Sequence, residues 1–418
     1  MTFHRRLLRA CTFAVSAVAL VTPQALAGGT AHAVSARAAN ASTPGPYAVA
    51  AVSYNLGDRA YHLTETGQPA ELAATVHYPK NLGSKPHPLV VQLHGWHETC
   101  ADRAAEATRD AAERAEDWDA YSAANRRLWN WPCAPATKPI ANERGYDYLG
   151  ERLASQGFIV LSIRANGINA SSVSGDENAS SRADLINKHL TLWKELNSTG
   201  KGQLSGKFLD EITGKPRQVD FTHHVDMHRV GTMGHSRGGA GVTWQAADRH
   251  RSKWPAGVEV KAVLALAPAY NEMSENMTAY EIKRTPLGVI RGTCDGQVGD
   301  SSFALDATGK SKMDFYKFQI HGANHNYFNT QWSPNSGQVA AWDDAVHLNG
   351  QTGRCTDIEK SGSDTQLNEA QQRQVGATYI EAFFRRYLAD DTRFGPVLTG
   401  QKKPVAHITA VDVTAVVR

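Results

Sequence analysis

The sequence has little of what membrane proteins, nucleic-acid-binding proteins and repeat proteins require. Beyond its first residues it contains no apolar run long enough to cross a bilayer, so stable membrane insertion is not expected. The formal net charge is only +3 over 418 residues, and no basic cluster is interleaved with aromatic side chains. Nucleic acid is therefore not expected as a partner. No segment recurs, which argues against a solenoid or a propeller.

Cysteine is also scarce, with five in the whole chain. One of them, Cys11, lies in the N-terminal segment, and the other four are Cys100, Cys133, Cys294 and Cys355. No two of these lie within a few residues of each other, which argues against a zinc site. In an exported chain an even number of cysteines favours two disulfides. Of the three possible pairings, we expect the local one, Cys100 with Cys133 and Cys294 with Cys355.

Residues 1–33 are typical of a signal peptide. Three arginines precede an apolar run over 10–21, and small residues define candidate cleavage sites near Ala27 and Ala33. The apolar run is shorter than the roughly 18 residues that a membrane anchor needs. We therefore expect secretion, with the export route left open. Residues 34–46 are rich in Ala, Ser and Pro and predict a flexible linker.

The rest of the chain predicts an α/β architecture. Short apolar runs without alternation indicate strands that are buried on both faces of a parallel sheet. These runs occupy residues 88–93, 158–163, 230–233, 260–266 and 287–290, and residues 314–320 predict the next strand. Runs at 47–54 and 71–78 predict an antiparallel opening pair. Helix-like segments lie at 146–156, 181–197 and 365–388, the last with Ser363 and Asp364 as candidate N-caps. Strands that alternate with helices imply a layered α/β domain.

The length of the chain suits one large domain over residues 47–400. Two stretches, 97–142 and 198–228, do not fit the alternation of strands and helices. We interpret them as insertions that form loops or lids over the strand ends. The tail, 401–418, has strand-like content and is expected to be an edge strand or a contact to another subunit. The oligomeric state stays open.

The strongest functional signal is the string Gly234-His235-Ser236-Arg237-Gly238-Gly239. A G-x-S-x-G string alone is weak, but this one follows a predicted strand and precedes a segment, 240–248, that is able to be helical. That context is typical of a nucleophile elbow, in which a sharp turn exposes the serine and only small neighbours leave room for it. Ser236 is therefore the candidate nucleophile.

A serine hydroxyl needs a base and an acid that orients the base. Asp295 follows the predicted strand at 287–290 and is the candidate acid, with Asp300 and Asp306 as substitutes. The candidate base is His325, in the loop beyond the strand at 314–320. His321 is the alternative, but it still belongs to the strand end.

An acyl transfer also requires two N–H donors for the oxyanion. One is the backbone N–H of Arg237, which follows the nucleophile. The second is assigned to the backbone N–H of Trp96, because His94-Gly95-Trp96 follows an early apolar strand. The Trp96 indole is then expected to line the acyl pocket.

With these residues in this order, the chain resembles the α/β-hydrolase superfamily over residues 47–388. Within it, the chain is similar to secreted actinobacterial hydrolases of the dienelactone hydrolase, platelet-activating-factor acetylhydrolase and polyester hydrolase (cutinase-like) groups. The resemblance implies an eight-stranded, mostly parallel sheet and lipase-like hydrolysis of carboxylic esters without a cofactor or metal. Arg237, the insertion between Cys100 and Cys133, and the greater length depart from the compact polyester hydrolases. They leave open whether the ester is polymeric or a small molecule.

The expected function is thus that of a secreted serine esterase with a Ser236–His325–Asp295 catalytic triad and an acyl-enzyme intermediate. The same triad chemistry also serves peptidases, amidases and acyltransferases, so these stay as alternatives. A third possibility is an exported binding protein that has this fold without catalysis.

Overall fold

The computed structural model of the protein describes residues 43–171, 173–269, 277–299, 312–339, 353–356 and 363–418. The expected signal peptide, most of the expected linker, and the substitute acids Asp300 and Asp306 lie outside these ranges. All described residues belong to one unit by their contacts, Ala39–Arg418.

Strands and helices alternate through most of the described chain. The strands are β1 (Val49–Asn55), β2 (Tyr61–His62), β3 (Pro69–Ala70), β4 (Ala73–Pro79), β5 (His87–Leu93), β6 (Ile159–Ile163), β7 (Leu209–Asp210), β8 (Val225–His235), β9 (Val260–Leu266), β10 (Leu287–Gly292), β11 (Phe315–Ile320), β12 (Arg354–Thr356), β13 (Ser363–Thr365) and β14 (Val411–Val416). The α-helices are α1 (Arg103–Arg114), α2 (Trp118–Leu128), α3 (Asp147–Ser155), α4 (Asn166–Ala170), α5 (Gly175–Thr199), α6 (Arg237–Ala246), α7 (Glu369–Leu388) and α8 (Gly395–Leu398).

One large, mostly parallel sheet organises the molecule. Its strands lie in the order β14-β11-β10-β9-β8-β5-β6-β4-β1-β7. The six strands from β11 to β6 are mutually parallel, whereas β4, β1, β7 and β14 join antiparallel to their neighbours. Each apolar run that predicted a strand falls in this sheet, and the opening pair is antiparallel as expected. The α/β architecture predicted from the sequence is confirmed.

Within the described residues the sheet contains ten strands and not the eight that the resemblance implies. The two extra strands are both at its edges: the short β7, from the insertion at 198–228, and β14, from the C-terminal tail. Residues 411–416 of the tail therefore form an edge strand, and each of them pairs with a residue of β11. An edge strand pairs with a neighbour on one side only. It is also less completely buried than a central strand, so its sequence pattern is weaker and the number of edge strands is difficult to predict.

Helices cover both faces of the sheet, and each face has its own apolar cluster. On one face α5 and α6 pack over the sheet, with Trp193, Ile186 and Val242 in the cluster. On the other face α3 and α7 contribute Leu149, Leu153 and Phe383. Burial on both faces explains why the central strands are apolar without alternation.

The predicted helices are present, with two differences in their bounds. Helix α5 begins at Gly175, before the expected start at 181. Helix α7 begins at Glu369, and its N-cap is Asn368, which forms a reciprocal capping box with Gln371. The expected N-caps, Ser363 and Asp364, are wrong, because these residues belong to β13, which pairs with β12. The capping box supplies hydrogen-bond acceptors for the backbone N–H groups of Asn368 and Gln371 at the start of the helix.

Both disulfides have the local pairing. Cys100 is bonded to Cys133 and Cys294 to Cys355, so these cysteines are not free thiolates for a metal. The first bond closes the part of the insertion at 97–142 that contains α1 and α2. Among the described residues, no helix has the length and apolar character needed to span a bilayer.

His321 joins three elements at the edge of the sheet. It follows β11, and its ring nitrogens lie 3.3 Å from Asp364 Oδ1 in β13 and 2.9 Å from Asp412 Oδ2 in β14. Burial lowers the pKa of His321, but its hydrogen bonds to Asp412 and Asp364 outweigh this effect, and the pKa is raised. When it is protonated, His321 links the C-terminal strand and the β12–β13 strand pair to the sheet.

We expect His321→Gln to destabilise the protein more at acidic than at alkaline pH. Because the folded-state pKa is raised, the stabilisation is fully present below the unfolded value of about 6.5 and is lost as the pH rises through the folded value. The side chains are partly exposed, so the effect should not exceed about 1 kcal/mol. Urea unfolding at about pH 5.5 and about pH 8.5 measures the difference. The exposed His407, changed to Gln, serves as control. Equal destabilisation by His321→Gln at both pH values would contradict the assignment.

Candidate active site

The candidate residues lie at one edge of the sheet. Ser236 directly follows β8, Asp295 lies three residues beyond β10, and His325 lies five residues beyond β11. These strands are parallel, so their carboxyl ends meet at the same edge. In open α/β sheets this is the edge at which ligands bind.

The backbone at Ser236 is strained. Its φ of 57° and ψ of −124° are rare for a residue with a side chain, and the turn links β8 directly to α6. The serine N–H donates to Leu266 O at 2.9 Å, and the serine carbonyl accepts from the N–H of Ala269 at 3.1 Å. A Cβ on Gly234 would lie 1.9 Å from the carbonyl oxygen of Gly238, so the turn can close only over a glycine. Strain of this kind persists only where surrounding contacts enforce it, and it is typical of functional sites.

Asp295 and His325 form a buried hydrogen-bonded pair. His325 Nδ1 lies 2.9 Å from Asp295 Oδ2, and the other carboxylate oxygen accepts the N–H groups of Gln297 and Val298, both at 2.9 Å. Both side chains are about 1 % exposed. Since the carboxylate can only accept, Nδ1 carries the proton, and in the neutral ring Nε2 is the basic nitrogen. This is the arrangement that a general base requires.

The alternative base, His321, is directed elsewhere. Its two ring nitrogens face Asp364 and Asp412 near the β14 edge. The structure thus brings His325, and not His321, together with the candidate acid.

His325 packs against a further aromatic ring, that of His235, and the sequence did not reveal this contact. The ring of His235 lies 4.9 Å from that of His325 and stacks on Trp332 at 4.7 Å. Its Nδ1 is 2.9 Å from the hydroxyl of Tyr146. Burial, followed by the proximity of His325, holds the pKa of His235 well below 6.5, so His235 is neutral. The only sequence signal for its role is its place before the nucleophile.

The loop after β5 lies against the nucleophile. A Cβ on Gly95 would be 2.5 Å from Ser236 Cβ and 3.1 Å from its Oγ. His94 is buried beside it, where Nδ1 lies 2.8 Å from the Gly95 carbonyl and Nε2 accepts from the N–H of Ala165 at 2.8 Å. These partners fix the neutral tautomer with its proton on Nδ1. Burial, then the nearby Arg182, lowers the pKa of His94 well below 6.5, so it acts as a structural and not a basic histidine.

The two candidate oxyanion donors belong to the two segments that meet at Ser236, the start of α6 and the loop after β5. Arg237 is the first residue of α6, and Trp96 follows Gly95. The backbone N–H of Trp96 has no acceptor within the part of the chain that the structure describes. The Trp96 indole is 45 % exposed, is stacked on Trp129 at 4.3 Å and lies 4.3 Å from the Arg237 guanidinium. The indole is therefore at the surface, next to the first residue of the helix that follows Ser236.

A separate cavity of about 750 Å³ opens beside β1, β4 and α3. Its lining combines charged side chains, among them Lys80, Arg144, Asp147 and Arg217, with apolar ones, and it includes none of the candidate catalytic residues. The site around Ser236 is thus defined by its side-chain geometry and not by this cavity. Within the described ranges, no three His, Cys, Asp or Glu side chains converge as a metal site would require.

The chain was also compared with known proteins. No protein-family model matches it, and no curated protein matches it either. The function is therefore inferred from the geometry of the site.

We expect Gly95→Ala to lower the reactivity of Ser236 strongly without unfolding the protein. The new methyl group would occupy the space of the serine side chain and displace either the loop or the nucleophile. Labelling by a fluorophosphonate should slow by at least about 10²-fold, because small displacements in a reacting site have effects of that size. Gly395→Ala is the control, since a Cβ there meets nothing within 4 Å. Labelling of both variants at the same rate would show that the loop does not contact the reactive serine.

Proposed function

We propose that the protein is a serine hydrolase of the α/β-hydrolase type that cleaves carboxylic esters. One observation carries this proposal. Ser236, in a strained strand-to-helix turn, lies at the same edge of the sheet as a buried pair in which His325 Nδ1 is hydrogen-bonded to the carboxylate of Asp295. The mostly parallel sheet supports it, because the turn follows a central strand.

In the proposed reaction Ser236 Oγ attacks the ester carbonyl while His325 Nε2 accepts its proton. Asp295 keeps the imidazole in the required tautomer and stabilises the imidazolium. The backbone N–H groups of Trp96 and Arg237 bind the oxyanion. His325 then protonates the leaving alcohol and activates the water that hydrolyses the acyl-enzyme. Neither a cofactor nor a metal takes part in the proposed steps.

We further propose that the protein acts outside the cytoplasm. Two disulfides in a chain of this size support that location, since they persist mainly in oxidising compartments. The proposed substrate is a small-molecule or polymeric ester that reaches the site beside the exposed Trp96.

We expect Ser236→Ala to lower kcat on p-nitrophenyl esters by about 10⁴- to 10⁶-fold, because the acyl-enzyme cannot form. The fold should be retained, and fluorophosphonate labelling should disappear. Peptide anilides tested in parallel distinguish an esterase from an amidase. A retained rate in the variant would exclude Ser236 as the nucleophile, and absence of both labelling and hydrolysis in the wild type would favour a non-catalytic protein.

We expect loss of the Cys294–Cys355 bond to impair catalysis before it unfolds the protein. The bond anchors the residue next to Asp295, and Cys294 N–H also donates to Ala323 O at 2.8 Å, close to His325. The double variant Cys294→Ser/Cys355→Ser should lose about 10- to 10²-fold in kcat, the size of effect that misplaced catalytic groups produce.

The matched control is Cys100→Ser/Cys133→Ser, which opens the insertion and leaves the acid anchored. Activity and circular dichroism are followed together in urea. If activity and folded structure are lost at the same urea concentration in the first variant, the bond has only a global stabilising role.

A further inference from the structure

The peptide between Gly95 and Trp96 is held in one orientation. Its carbonyl oxygen lies 2.8 Å from His94 Nδ1 and accepts from Asn169 Nδ2 at 3.0 Å. The C=O and N–H of a trans peptide point in opposite directions. With the carbonyl bound to Asn169 in α4, the N–H of Trp96 must point away from that helix. The segment that carries it is the one that contacts Ser236.

The orientation of the Asn169 amide is itself determined by Arg182, in α5. Arg182 Nη2 donates to Asn169 Oδ1 at 2.6 Å. A guanidinium can only donate, so the amide oxygen must face it and the amide NH₂ must face the loop. That NH₂ reaches two carbonyls of the loop, those of Gly95 at 3.0 Å and His97 at 3.1 Å. Because Arg182 can only donate, its hydrogen bond decides which face of Asn169 the loop meets.

Arg182 also contacts the loop and the nucleophile helix directly. Its Nη1 donates to the carbonyl of His94 at 3.0 Å, and its Nε donates to Asn178 Oδ1 at 2.7 Å. A Cβ on Gly241 in α6 would lie 2.6 Å from Arg182 Cβ, so the stem of the arginine is packed against the helix that begins at Arg237. Arg182 is fully buried. Removing a cation from water is costly, and hydrogen bonds from a charged donor are among the strongest in proteins.

We propose that Asn169 and Arg182 are positioning residues that orient the Gly95–Trp96 peptide so that its N–H binds the oxyanion. Neither residue touches the reacting atoms: Asn169 acts through the Gly95 carbonyl, and Arg182 acts through Asn169 and the His94 carbonyl. This inference rests on the proposed ester hydrolysis.

The test is Asn169→Asp. The aspartate keeps the size of the side chain and gains an ion pair with Arg182, so the fold should be retained. It loses the NH₂ group, however, and turns a carboxylate oxygen toward the carbonyls of Gly95 and His97, which are also acceptors. The peptide is then no longer held, and kcat should fall by about 10²-fold, as when an oxyanion donor is removed.

The matched control is Asn178→Asp. Asn178 also accepts a hydrogen bond from Arg182, but its NH₂ donates to Val173 O at 3.1 Å and not to the loop. The same chemical change beside the same arginine should therefore leave kcat within a few-fold of the wild type. Arg182→Lys, which retains the charge but not the planar set of donors, should behave like Asn169→Asp.

A second readout separates orientation of the oxyanion donor from a general structural role. An alkyl boronic acid forms a tetrahedral adduct with the serine oxygen and places an oxygen where the oxyanion forms. In Asn169→Asp its affinity should fall in proportion to kcat/KM, while KM for the ester stays within a few-fold. Rates are expressed per active site titrated with fluorophosphonate, and melting temperatures are recorded.

The outcomes are distinct. If the wild type hydrolyses esters but Asn169→Asp matches Asn178→Asp, or loses activity with no parallel loss of boronate affinity, the positioning role is wrong and the proposed function stands. If the wild type neither hydrolyses esters nor labels at Ser236, the proposed function fails and the positioning role fails with it.

Discussion

The strained turn at Ser236 is the constraint on which the rest of the site depends. A serine with φ of 57° is stable only because β9, the Pro-Ala segment after it and the β5 loop hold the turn from several sides. Each contact requires a neighbour of a particular size, which is why Gly234 and Gly95 flank the serine in sequence and in space. The strained turn persists because these neighbours are packed tightly around it, so the geometry of the site depends on the central sheet.

Much of the fold could be predicted because burial on both faces leaves a clear sequence pattern. The runs that became β5, β6 and β9 are apolar over nearly their whole length, and their bounds were predicted to within a residue or two. The edge strands were harder. The two-residue β7 has no pattern of its own, and only its pairing with β1 defines it. The predicted start of α7 is wrong because Asp364 and Asn368 are both good N-cap residues. Asp364 pairs with β12 as part of β13, so the helix begins after Asn368.

For the site, sequence order indicated Asp295 and His325, since each follows a recognisable strand. The residues that orient the site gave no such signal. Asn169 and Arg182 lie in helices far along the chain from His94, and their importance comes from contacts across the fold. His235 and Trp332 likewise look like ordinary buried residues until their rings are seen beside His325. Residues that do chemistry can be found from local motifs, whereas residues that orient them are defined by tertiary structure.

The pairing of β14 with β11 has a consequence for biosynthesis. Strand β11 leads into the loop that bears His325, and its outer edge pairs with a strand that is made much later in translation. Until residues 411–416 are available, that edge offers unpaired backbone groups to any neighbouring chain. The histidine loop is thus among the last parts of the molecule to reach its final surroundings. A chain interrupted before this strand would carry every catalytic candidate, yet it would lack the backbone partner that protects the sheet from association.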